Sequence, residues 1–215
     1  LRHYHPGPLL VMGVAMGMGI GMPAAFLRPF ALDLGIPRIG LFFTFYCLAA
    51  FGMRMISRRL PEQIGVRHTV ILGMACLVAS GLLFLTVRTE WQLAFPAVAA
   101  GLAHAFLFPS ILAGGSASFP ERYRGLGTTL MLAMYDLGNL VGGPTIGGLL
   151  RLAASYQLPR YHVTFAALAA ILAAMTVYYA VATWGQRPAP PTRKKRRKPS
   201  PADIESAAEA APAGV

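Results

Sequence analysis

The chain has 215 residues, 55% of them apolar and 13% charged, with a formal net charge of +11. A soluble domain carries about 25% charged residues and a disordered chain has low hydrophobicity, so a mean hydropathy of +0.54 excludes both. What remains is a chain solvated largely by lipid, in which 23 glycines let helices approach closely.

Six apolar runs follow one another, at about 9–32, 39–56, 69–87, 93–117, 126–150 and 163–184. About 20 residues of helix cross the hydrocarbon core of a bilayer, so each run is long enough, or nearly so, to span. Lipid satisfies no backbone polar group, which leaves helices or closed barrels. Barrel strands alternate every second residue, and these runs do not. The predicted fold is all-α: six transmembrane helices over 1–186, followed by a disordered basic tail over 187–215. Cys47 and Cys76 both fall inside apolar runs and form no metal-binding or disulfide spacing. Leu1 opens no signal peptide and is not an initiator Met, so the chain is expected to begin inside something longer.

Lys and Arg fall unevenly between the loops. One side holds Arg2, Arg54, Arg58, Arg59, Arg67, Arg122, Arg124 and the seven basic residues of the tail, 14 in all. The other side holds five: Arg28, Arg38, Arg88, Arg151 and Arg160. The richer side is cytoplasmic by the positive-inside rule, which places both termini in the cytoplasm of a multi-pass cell-membrane protein (inner or plasma membrane). The run Arg193–Lys198 follows the last span directly, where attraction to anionic lipid explains it better than nucleic-acid binding.

The loop after the second run contains Arg54, Arg58, Arg59, Glu62, Gly65 and Arg67. It resembles the second-half copy of the cytoplasmic loop motif of major facilitator superfamily transporters, G-x-L-x-D-R-x-G-R-R. Gly65 matches the shared glycine, Glu62 takes the acid position and Arg67 the last basic one. Arg58, Gln63 and Val66 depart from it. The stretch from Gly101 to Ser110, with His104 and Pro109, is similar to the family's tenth helix, and Phe119 to Gly125 to the loop that follows. The resemblance implies helices seven to twelve, one half of a twelve-helix fold whose halves face each other across a midplane substrate site. It implies a partner half of six helices, a small-molecule substrate, and a cytoplasmic gate built on the loop residues. The sequence Gly143-Pro144-Thr145-Ile146-Gly147-Gly148 resembles the family's antiporter motif, here in the second-half position.

Within this frame Asp136 is the sharpest candidate, because it is the one acid well inside a span. An ionised Asp at the bilayer centre costs about 2.5–3.5 kcal/mol on insertion scales, so it needs a partner or a wet cavity. Tyr135 is adjacent, and Asn139, three residues on, is expected on the same face. His104 is the only histidine within a span and titrates near pH 6.5 when unperturbed. With Arg28, Tyr46 and Phe106 these residues form the expected substrate or proton pathway. Proton-coupled export or exchange is the expected activity, the proton being the coupling ion and no cofactor being required. Gly13, Gly17 and Gly21 repeat every fourth residue, and Gly143, Pro144, Gly147 and Gly148 form a second small-residue stripe; both are expected to pack helices.

An enzyme is not expected. Gly114-Gly115-Ser116-Ala117 lacks the last glycine of an intramembrane protease motif, and His104 lies on the same helix about 18 Å from Ser116. The alternative function is a non-transporting membrane sensor, or an orphan half-transporter that acts as a dimer.

Overall fold

The computed structural model of the chain describes residues 7–56 and 60–185. Among them are six α-helices: α1 (Pro8–Asp33), α2 (Gly40–Ile56), α3 (Leu60–Leu83), α4 (Ala94–Ala117), α5 (Arg124–Ser155) and α6 (Arg160–Ala182). Short 3-10 turns occur at Phe84–Thr86, Glu90–Leu93 and Glu121–Tyr123, and no strand is present among the described residues. The tail beyond 185, Arg2, Arg58 and Arg59 fall outside the described residues, as does the Glu62 side chain.

Three segments are long and apolar enough to cross a membrane: Ile64–Thr86, Glu90–Ala117 and Arg160–Ala182. α1 makes a fourth if its two pieces, Pro8–Pro23 and Ala25–Asp33, form one span bent by 41°. The bend follows from Pro23, whose ring removes one backbone donor and crowds the carbonyl four residues back. α2 is apolar but only 17 residues long. α5 is long, about 48 Å at 1.5 Å per residue, but it carries Asp136, Arg151 and many glycines along its 32 residues. The expectation of six apolar helices is met as helices, whereas the hydropathy of a full span belongs to only some of them.

The contacts between helices define an up-and-down bundle. Gly13 faces Met134, and Gly142 faces Met18, so α1 and α5 run parallel. Gly101 packs on Ala49, and Tyr46 and Arg54 meet His104 and Phe108, so α2 and α4 are parallel too. α3 runs antiparallel to α4, since Gly73 packs on Leu107 while the Ser80 hydroxyl donates to the Pro96 carbonyl at 2.8 Å. α6 runs antiparallel to α3, with Gly81 against Ala169 and Arg67 against Thr183.

One end of the bundle is locked by rings. Phe30 meets Phe165 edge-on at 4.9 Å and Phe84 at 5.8 Å, and Phe42 stacks on Phe84 at 5.8 Å. Phe30, Phe42, Phe84 and Phe165 are fully buried, and pairs of this geometry add about 0.5–1.5 kcal/mol beyond their burial. At the same end Arg160 reaches Asp33 across 3.9 Å. Exposed tryptophans mark both ends, Trp91 beside this cluster and Trp184 at the opposite end. Indole rings favour the membrane–water boundary, where one edge is apolar and the other wet.

Candidate functional site

The seam between α1 and α5 is built from glycine. A Cβ on Gly17 would run into the Tyr135 carbonyl and lie 2.9 Å from the Asn139 nitrogen, and one on Gly138 would overlap the Val14 carbonyl. In the same seam a Cβ on Gly13 would lie 3.0 Å from Met134 Cβ, and one on Gly142 3.2 Å from Met18 Cα. A Gly21 Cβ would take the space of the Asn139 side-chain oxygen, while the Asn139 amide donates to the Tyr135 carbonyl at 3.2 Å. Small residues every fourth position let the two backbones touch.

This seam sharpens one expectation and corrects another. Asn139 turns into the α1 contact, whereas Asp136, next to it on the helix surface but farther from the seam, is exposed. Three residues turn a helix by about 300°, which leaves the two side chains about 60° apart, Asn139 at the edge of the seam and Asp136 beyond it. Gly143, Gly147 and Gly148 do not pack helices among the described residues, because a Cβ at any of them meets nothing within 4 Å. They lie a turn-fraction round from Gly142, which is the residue buried against α1; Pro144 beside them is exposed. A small cleft lies along the seam, lined by Gly17, Gly21, Phe26, Asn139 and Gly143.

A second cluster joins α2, α4 and α5. The Tyr46 hydroxyl and His104 Nδ1 share a hydrogen bond of 2.6 Å between α2 and α4. His104 stacks on Phe108 at 5.4 Å, and Phe108 meets Tyr135 of α5 edge-on at 6.4 Å. The Arg54 guanidinium carbon lies 5.7 Å above the Phe108 ring. Of the residues expected together, Tyr46 and His104 touch directly, and Tyr135 reaches them through Phe108. Phe106 does not join them: it is buried and faces Gly73 of α3. Phe108, one helical turn beyond His104, takes that position. The spacing of four was the signal for it. Arg54 also changes place, from the loop to the last turn of α2, beside the aromatic cluster. Arg28 is exposed beyond the α1 bend, far along the bundle from Arg54.

Asp136 is exposed on α5, next to Tyr135 in sequence, and no hydrogen bond or ion pair reaches it among the described residues. Its carboxylate faces outward from the packed helices.

At the other end of the chain's loop motif, Gly65 has φ +83° and ψ 153°. That region is essentially closed to residues with a Cβ, so Gly65 separates the short helical piece 60–64 from the membrane helix. Arg67 then reaches α6: Nε donates to the Thr183 hydroxyl and Nη2 to the Ala180 carbonyl, both at 3.0 Å. Its guanidinium lies 5.6 Å from the centre of the Trp184 ring. A cation at a helix C-terminus offsets the negative end of the helix dipole.

A family model described as Major Facilitator Superfamily matches residues 9–213. The chain belongs to the major facilitator superfamily. Members of this superfamily are membrane transporters, which accords with an all-α bundle and does not call for a catalytic centre. No curated protein and no solved structure matches the chain significantly. In the superfamily setting, the exposed Asp136 and the Tyr46–His104–Phe108–Tyr135 cluster are the chemically equipped part of the bundle.

Proposed function

We propose that the chain is the second half of a proton-coupled secondary transporter working by alternating access. The observation that carries this reading is Asp136, an ionisable side chain in the middle of a long helix that faces out of its own bundle. Facing lipid, an ionised Asp would cost about 2.5–3.5 kcal/mol at the bilayer centre. Facing a second six-helix half across a wet cavity, it would not. The Tyr46–His104 pair joins α2 to α4, and Phe108 of α4 meets Tyr135 of α5; together they supply polar and aromatic lining for a small molecule. The proton is the coupling ion, taken and released at Asp136, and the direction is export or exchange. The loop of Glu62, Gly65 and Arg67 forms a cytoplasmic gate at the end where α3 begins and α6 stops, and both termini are cytoplasmic at the inner or plasma membrane. There the basic tail lies against anionic lipid.

The test uses the full-length protein in proteoliposomes with a trapped pH-sensitive dye and a panel of small organic anions, cations and neutral compounds. A compound that is transported moves protons with it, and Asp136→Asn abolishes that movement while leaving thermal stability unchanged, because the carboxylate holds no structural contact. Normal proton movement in the variant at equal incorporation would remove Asp136 from the mechanism. Absence of proton movement with every compound in the wild type would favour a sensor.

A further inference from the structure

Arg54 is poorly explained as a loop charge. It lies within α2, and its guanidinium stands over Phe108 of α4 at 5.7 Å. It is near enough for its charge to act on both Tyr46 and His104. Among the described residues it makes no hydrogen bond and pairs with no carboxylate. A cation–π contact uses the charge of a guanidinium but none of its five N–H donors. Those donors lie in a planar fork that matches a carboxylate in two parallel bonds. Helical side chains slope toward the helix N-terminus, which brings the Arg54 head back toward Tyr46, about 12 Å along α2. Phe108 presents its ring to it, and Tyr135 meets Phe108 edge-on from α5. The Tyr46 hydroxyl, by contrast, is already engaged with His104.

Resting on the transporter reading above, we infer that the substrate is an organic anion with a flat apolar body, its carboxylate held by Arg54 and its body laid against Phe108 and Tyr135. Asp136 does not argue for a cationic substrate, since no ring packs on it and nothing orients it toward the cluster. The ring of Phe108 is set against the cation.

The experiment measures equilibrium binding of radiolabelled benzoate to the full-length protein in nanodiscs, with benzylamine and benzyl alcohol as the cationic and neutral counterparts of the same shape. Benzoate is expected to bind saturably and to be displaced by other aromatic carboxylates but not by benzylamine. Arg54→Gln should weaken binding roughly ten-fold or more, as loss of a charge-assisted pair does, with Arg54→Lys between it and the wild type. Arg122→Gln, which removes a basic residue elsewhere in the chain, should leave binding unchanged. If Arg54→Gln fails to give a monodisperse protein, Phe108→Leu takes its place and should weaken benzoate more than acetate. Unchanged benzoate affinity in Arg54→Gln, equal loss in Arg122→Gln, equal loss of acetate and benzoate in Phe108→Leu, displacement by benzylamine, or no saturable benzoate binding would each overturn the inference. The two readings fail separately: proton movement driven by a cation or neutral compound keeps the transporter and removes the anion, whereas Arg54-dependent benzoate binding without any translocation does the reverse.

Discussion

Asp136 and Tyr46 show how differently two polar residues can sit in one bundle. Tyr46 is satisfied inside the chain through its 2.6 Å bond to His104. Asp136 has no partner among the described residues, and its cost has to be offset from outside the bundle. Removing the Tyr46 hydroxyl should therefore affect folding, while removing the Asp136 charge affects transport. Tyr46→Phe is expected to lower stability by about 0.6 kcal/mol, the average for interhelical hydrogen bonds in membranes. A double-mutant cycle with His104→Phe, read by thermal unfolding in detergent, should return a coupling of that order; additive losses would show that the bond contributes nothing. The sequence placed Tyr46, His104 and Tyr135 in one candidate pathway because each is a polar or aromatic residue inside an apolar run. It could not say that Phe106 turns away, since Phe106 and Phe108 differ only in which neighbour their helix face meets.

At the scale of the helices, the α1–α5 seam depends on absent side chains. Gly17 and Gly138 face each other so closely that no Cβ fits at either. Gly17→Leu should separate the two helices and cost at least 1–3 kcal/mol, as overpacking of a tight interior does. Gly148→Leu, on the open side of α5, should change stability by no more than about 0.5 kcal/mol. Thermal melting of both variants in nanodiscs checks the contrast, and equal losses would refute it. Both glycine stripes were visible as spacings of four in the sequence. Which stripe is buried was not, because a period of four identifies a helix face without identifying what packs on it. The Gly65 break and the Arg67 contact with the end of α6 also join distant elements: Arg67 and Thr183 are 116 positions apart. A gate motif read along the chain shows neither the interruption nor the helix end it reaches.

For the whole molecule, the alternating helix directions sort the loops into two ends. Arg54, Arg67, Arg122 and Arg124 fall at one end, and Arg28, Arg38, Arg88, Arg151 and Arg160 at the other. These groups are nearly equal, so the cytoplasmic assignment rests on Arg2, Arg58, Arg59 and the basic tail. In a variant lacking Cys47 and Cys76, cysteines introduced at Arg122 and Arg88 should react oppositely with a membrane-impermeant maleimide added to intact cells. Arg88→Cys is expected to label and Arg122→Cys only after permeabilisation; the reverse pattern would invert the topology.

Composition and the apolar runs were enough to indicate a helical membrane protein, and the loop residues Glu62, Gly65 and Arg67 with the stretches Gly101–Ser110 and Phe119–Gly125 carried its resemblance to the major facilitator superfamily. Both are properties of residues summed along the chain: lipid excludes every backbone but a closed one, and the loops and runs recur in a family order. Facing is not summed along the chain. That Asp136 looks outward, that Arg54 leaves the loop for an aromatic cluster, and that Gly142 rather than Gly143 meets α1 depend on rotations of about 100° per residue. Those rotations acquire a direction only when neighbouring helices pack.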